Sequence, residues 1–88
     1  MNSKASSNFW KNYDTLRAEI KEQAKVKYRL WKKNPFQPGL QFKCVNIHQN
    51  LWSVRITDSF RALGVKPDDA TIVWFWLGDH DEYLRLIK

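Results

Sequence analysis

Residues 70–77 constrain this chain more than any other stretch. Thr71, Ile72, Val73, Trp74, Phe75, Trp76 and Leu77 follow one another with no charged residue among them, and Gly78 ends the run. The run is short and rich in β-branched and aromatic side chains, so it reads as a strand. A strand that is apolar at every position, rather than at every second one, is covered on both faces. The chain must therefore supply a sheet around this strand and a layer to lie against it.

The N-terminal third supplies that layer. Ser6 or Ser7 is placed to cap a short helix carrying Phe9, Trp10 and Tyr13, and Asp14 to cap a second. Over residues 15–33, apolar side chains recur at Leu16, Ile20, Ala24, Tyr28 and Trp31, near helical spacing, with Lys and Glu on the other side. Asn34-Pro35 stops this helix, because proline disfavours helical geometry in the residue before it. Strands follow. Residues 40–47 alternate loosely, and His48-Gln49-Asn50 reads as a turn. In 51–57, Trp52, Val54 and Ile56 point one way and Ser53, Arg55 and Thr57 the other. Asp58-Ser59 turns into a return strand over 60–66, and Pro67-Asp68-Asp69 turns again. Asp79 is placed to cap a last helix over 79–87, with Glu82 three residues on. This order predicts an α+β fold. Two N-terminal helices pack on an antiparallel sheet of about four strands, and a short C-terminal helix sits at its edge or opposite face. Residues 3–6 offer no more than a short edge strand.

Eighty-eight residues make one domain, 1–88. A chain this short buries only about 60–65% of its unfolded surface. Five Trp, five Phe and three Tyr offset that, because each buried aromatic removes a large area from water. The N-terminus is polar and no long apolar run is present, so the expectation is a cytoplasmic protein with no membrane partner. The single cysteine, Cys44, cannot form an internal disulfide and reads as a small core residue. No Cys/His cluster has metal-ligand spacing, so neither a metal nor a cofactor is expected. Fifteen Lys and Arg against nine Asp and Glu give a net charge of +6, which favours a polyanionic partner.

Polar residues on strands built for burial are the informative ones. Arg55 and Arg61 flank the predicted turn. A strict two-residue hairpin would set Arg55 opposite Ala62, and a bulge would change that parity. Two arginines on adjacent strands need carboxylates or a phosphate, and the planar guanidinium fork suits phosphate. Pairing with Asp58, Asp79, Asp81 or Glu82 is the competing structural role. His80 lies just past the apolar strand, where an imidazole can act as general acid or base. Tyr83, one helical turn on, falls on the same side. Lys43 adds charge near the same strands, and His48 reads as a turn residue.

The stretch from Leu51 to Val65 resembles the central hairpin of the RelE/ParE-superfamily toxins: an alternating aromatic strand with a basic residue, a turn, then Phe60-Arg61 opening the next strand. Asn34-Pro35-Phe36 and Leu40-Gln41-Phe42-Lys43 are similar to that family's helix exit and first long strand. Trp74 to Tyr83, with its Gly78-Asp79-His80 and Tyr83, is similar to the C-terminal ending of one RelE-like subgroup. The resemblance implies the toxic half of a bacterial toxin–antitoxin pair. It implies cleavage of mRNA in the ribosomal A site, silenced by a cognate antitoxin expected to be acidic and partly disordered. Residue by residue, it implies Arg61 as the phosphate-stabilising arginine and Arg55 as a contact to the RNA backbone. His80 matches the C-terminal acid/base position, Tyr83 the tyrosine that orients or stacks on the nucleotide, and Lys43 a basic strand residue. Asp81 or Glu82 could supply a second proton-transfer group. Ser53 stands where some members carry a second lysine. Three other functions share features with this chain: a ParE-type inhibitor of DNA gyrase, a degenerate toxin fold that only binds its antitoxin, and a plain nucleic-acid-binding module.

Overall fold

The structure, a computed structural model, describes residues 1–87. It contains strand β1 (Asn2–Ala5), helices α1 (Ser7–Asp14) and α2 (Ala18–Lys33), strands β2 (Lys43–Asn46), β3 (Leu51–Thr57), β4 (Phe60–Asp68) and β5 (Thr71–Asp79), and helix α3 (His80–Leu86). The strands form one sheet in the order β1-β5-β4-β3-β2. Four strands make the expected antiparallel meander. The fifth, β1, pairs parallel with β5, so the apolar run has a hydrogen-bonded neighbour on each side.

Several boundaries differ from the sequence-based expectations. Ser6 caps α1 by accepting from the amide of Phe9 at 3.3 Å. Asp14, expected to cap the second helix, is the last residue of α1; α2 starts after Arg17, which makes no side-chain cap. The first meander strand is half the expected length. Pro38–Leu40 forms a short 3₁₀ turn, and Gln41 then takes a left-handed conformation (φ 47°) that delays pairing until Lys43. Cys44 is exposed on edge strand β2 rather than buried in the core. Pro67 and Asp68 belong to β4, and Gly78 lies within β5 rather than ending it.

Two bulges decide which side chains face which way. On β3, Arg55 pairs with Arg61 and Thr57 with Phe60, leaving Ile56 without a partner on β4. On β5, Trp74 pairs with Gly64 and Trp76 with Leu63, leaving Phe75 unpaired. A bulged residue frees a backbone carbonyl that needs another donor. In both cases the helical layer provides it: Lys27 Nζ donates to Ile56 O at 2.9 Å, and Asn8 Nδ2 to Phe75 O at 2.7 Å.

The β5 bulge also reverses parity. Trp74 packs under the helices with Trp31, Phe42, Val54, Ala62, Ile72 and Leu77. Trp76, two residues on, packs on the opposite face with Leu51, Leu63 and Tyr83. The sheet thus has two small cores. α1 and α2 cover one face, and α3 covers part of the other.

Candidate functional site

The face of the sheet away from α1 and α2 is only partly covered, and a cavity of about 300 Å³ opens there. Its polar lining is Gln41, Lys43, Ser53, Arg61, His80 and Tyr83. Strand register brings these together. Lys43 pairs with Ser53, which pairs with Leu63, and Arg55 pairs with Arg61 in the adjacent row. Paired residues project from the same face, so Ser53 and Arg61 are diagonal neighbours. Asp79 caps α3 by accepting from the amide of Glu82 at 2.9 Å. The amide of His80 donates to Ser59 O at 2.8 Å, tying the start of α3 to the β3–β4 turn.

Arg61 is the best-placed cation. Its Nη1 donates to three carbonyls of the hairpin, those of Thr57 (2.6 Å), Phe60 (3.0 Å) and Asp58 (3.3 Å). Nε and Nη2 have no protein acceptor among the described residues. Burial pushes the Arg61 guanidinium below its ordinary pKa, while neighbouring Tyr83 acts in the opposite sense, Arg55 adds to the lowering and Asp58 opposes it. Arginine remains charged under any physiological condition. One arm of the fork is therefore anchored, and the other is partly desolvated without a carboxylate. That arrangement favours an incoming phosphate.

Arg55, opposite Arg61, pairs instead with Asp58. The competing structural role, pairing with a carboxylate, is thus filled at Arg55 and not at Arg61. Tyr83 is buried, and its hydroxyl hydrogen-bonds Ser53 Oγ at 3.0 Å. Its ring lies 5.6 Å from the His80 ring and 6.0 Å from the Arg61 guanidinium carbon. A Cβ at Gly78, opposite Arg61, would come within 2.5 Å of the Trp76 ring, so the absence of a side chain there lets Trp76 pack beneath the site.

This layout invites comparison with known proteins. No protein-family model matches the sequence, and no curated protein sequence does either. Solved structures do match. A chain of the RelB–RelE antitoxin–toxin complex from Methanococcus jannaschii superposes with a TM-score of 0.73 at 12% identity, covering 97% of this chain and 99% of that one. A YoeB/ParE toxin from Agrobacterium tumefaciens gives 0.69 at 19% identity, over 91% and 99%. YafQ from Escherichia coli gives 0.69 at 14%, over 93% and 96%. The chain has the RelE/ParE toxin fold.

Within that fold, the expected residues divide into two groups. Arg61, His80, Tyr83 and Lys43 line one cavity, with Lys43 exposed at its rim. Arg55 stands beside them, engaged with Asp58. Asp81 and Glu82 lie exposed in the first turn of α3, outside the cavity lining. Acids there complement the helix dipole. His48 is exposed in the β2–β3 turn. Among the described residues, no group of three or more His, Cys, Asp or Glu is placed to hold a metal, and no helix is long and apolar enough to cross a membrane. Sequence reasoning undervalued Ser53. Its signal was a hydroxyl on the face of β3 that also carries Arg55.

Proposed function

We propose that this protein is the toxin of a toxin–antitoxin pair and acts as an endoribonuclease on mRNA in the ribosomal A site. The observation that carries the reading is the convergence of Arg61, His80, Tyr83 and Lys43 on one open cavity, with half of the Arg61 fork unengaged. The RelE/ParE fold supports it, since RelE in the Methanococcus structure is described as a toxin held by an antitoxin.

In the proposed reaction, the RNA 2′-hydroxyl attacks the adjacent phosphorus as its proton is taken up. The P–O5′ bond breaks, and the 5′ oxygen receives a proton. The products are a 2′,3′-cyclic phosphate and a free 5′-hydroxyl. Arg61 stabilises the charge on the equatorial oxygens, where a preorganised donor contributes most. His80, half-buried on the cavity wall, takes a proton-transfer role. Lys43 and Arg55 hold flanking phosphates. Asp81 and Glu82 serve the helix rather than the chemistry. The net charge of +6 fits neutralisation by an acidic antitoxin that orders on binding.

The test is induced expression in a bacterial host, with 5′ ends of mRNA mapped for wild type, Arg61→Ala and His80→Ala. Growth arrest with codon-phased cuts is expected, with cleavage falling about 10²–10³-fold in Arg61→Ala, the range for losing one such donor. Arrest with intact mRNA would move the target to DNA gyrase. No arrest from soluble, folded protein would leave an antitoxin-binding fold without activity.

A further inference from the structure

Ser53 is the one buried residue of the polar and charged types among the described residues, at 2% exposure, and it forms part of the cavity wall. Its single side-chain hydrogen bond among the described residues is the 3.0 Å contact with the hydroxyl of Tyr83, itself 5% exposed. The two hydroxyls carry two protons, and the bond between them uses one. The second proton has no protein acceptor among the described residues, whichever hydroxyl donates to the other. Ser53 lines the cavity, so this proton is available to an acceptor that enters it.

Chemistry decides which proton is spare. The phenol is the stronger acid and hence the stronger donor, so Tyr83 donates to Ser53 and the Ser53 proton is left over. Accepting a bond from Tyr83 also makes the Ser53 hydroxyl a better donor in turn. The cavity it faces has Arg61 diagonally across β3–β4 and Lys43 directly opposite on β2. Among the described residues, no carboxylate lines it. The acceptor that fits a hydroxyl donor flanked by two cations is an anionic oxygen.

We propose that Ser53 is a substrate-binding donor. Its hydroxyl hydrogen-bonds a non-bridging oxygen of the phosphodiester that Arg61 holds, and Tyr83 acts through it as a positioning residue. This rests on the RNA-binding reading above and deepens it. The site then combines a neutral donor with the two cations beside it. Tyr83 therefore contributes through its hydroxyl, not as an open stacking surface.

The test is affinity for a short oligoribonucleotide with 2′-O-methyl sugars, which cannot be cleaved through the 2′ position, and in parallel for inorganic phosphate followed by NMR. Ser53→Ala and Ser53→Cys remove the strong donor, and the cysteine keeps the shape should alanine fail to fold. Each should weaken oligonucleotide binding about tenfold or more, the range for a hydrogen bond to a charged group. Ser53→Thr keeps a hydroxyl and should bind within about threefold of wild type, a rescue that a purely structural role would not require. Tyr83→Phe should weaken binding a few-fold and add nothing in the Ser53→Ala background. Wild-type affinity in folded Ser53→Ala and Ser53→Cys would overturn the proposal while leaving the RNA reading intact. Phosphate binding that is sensitive to Ser53, without any oligonucleotide binding, would sink the RNA reading and keep the donor. Binding of neither probe by wild type would overturn both.

Discussion

At the scale of single residues, the two facing arginines have different roles, and the difference lies in what each already touches. Arg61 is fastened by three backbone carbonyls, so its orientation is set before any ligand arrives. Arg55 is held by a carboxylate, and that carboxylate belongs to a side chain that is 91% exposed. Such a pair contributes about 0–1 kcal/mol and yields easily to a phosphate. Asp58 is thus an internal competitor for the ligand, positioned at the turn between the two cations. Asp58→Asn should therefore raise oligonucleotide affinity, by about two- to fivefold at low salt, and leave the unfolding free energy within about 0.5 kcal/mol of wild type. Fluorescence anisotropy with chemical denaturation checks both. Unchanged or weaker binding in Asp58→Asn would mean that Arg55 does not meet RNA.

At the scale of elements, the two bulges determine which side chains reach the site, and they were the least legible part of the sequence. Strand identity was plain: the alternation in β3, the apolar run of β5 and the Asp79 cap of α3 are local patterns and lie close to where they were expected. Bulges are not local patterns. Ile56 and Phe75 look like any other apolar strand residues, and the polar groups that satisfy their carbonyls, Lys27 and Asn8, sit 29 and 67 residues away on helices. Strict alternation would have put Trp74 and Trp76 in one core and Arg55 opposite Ala62. The observed register divides the tryptophans between two cores and sets Arg55 opposite Arg61. Cys44, which reads as a small core residue, is exposed because it lies on the edge strand β2. Lys27→Met keeps the aliphatic stem and deletes the donor, so it isolates the β3 bulge. It should cost about 1–2 kcal/mol in urea unfolding, the range for leaving a buried carbonyl unpaired. Amide exchange should accelerate around Ile56 and Thr57, and oligonucleotide affinity should fall although Lys27 does not line the cavity. Exchange unaltered at the bulge would show that the register stands without the lysine.

At the scale of the whole molecule, charge and site are separated. Residues 1–33 hold nine Lys and Arg against three acids, whereas 34–88 hold six against six. The entire net charge of +6 thus belongs to the N-terminal helical layer and β1, and the strands and α3 that form the cavity are neutral in sum. The cavity lies on the face of the sheet turned away from α1 and α2, so a ligand there would meet only a few local cations, while the helical layer carries most of the long-range positive field. For single-stranded nucleic acid, log K falls with log salt by roughly 0.7 per phosphate neutralised. With Lys43, Arg55 and Arg61 as the phosphate contacts, a short oligonucleotide should bind with a slope of about −2. Arg55→Ala should flatten that slope by about 0.7. Neutralising the outer face of α2 with Lys25→Gln, Arg29→Gln and Lys32→Gln removes three charges distant from the cavity. It should leave the oligonucleotide slope unchanged while slowing association with an acidic partner chain. A slope that falls by about two in the α2 variant would place the nucleic acid on the helices instead of in the cavity. The cluster of Arg61, His80, Tyr83 and Ser53 would then need another ligand.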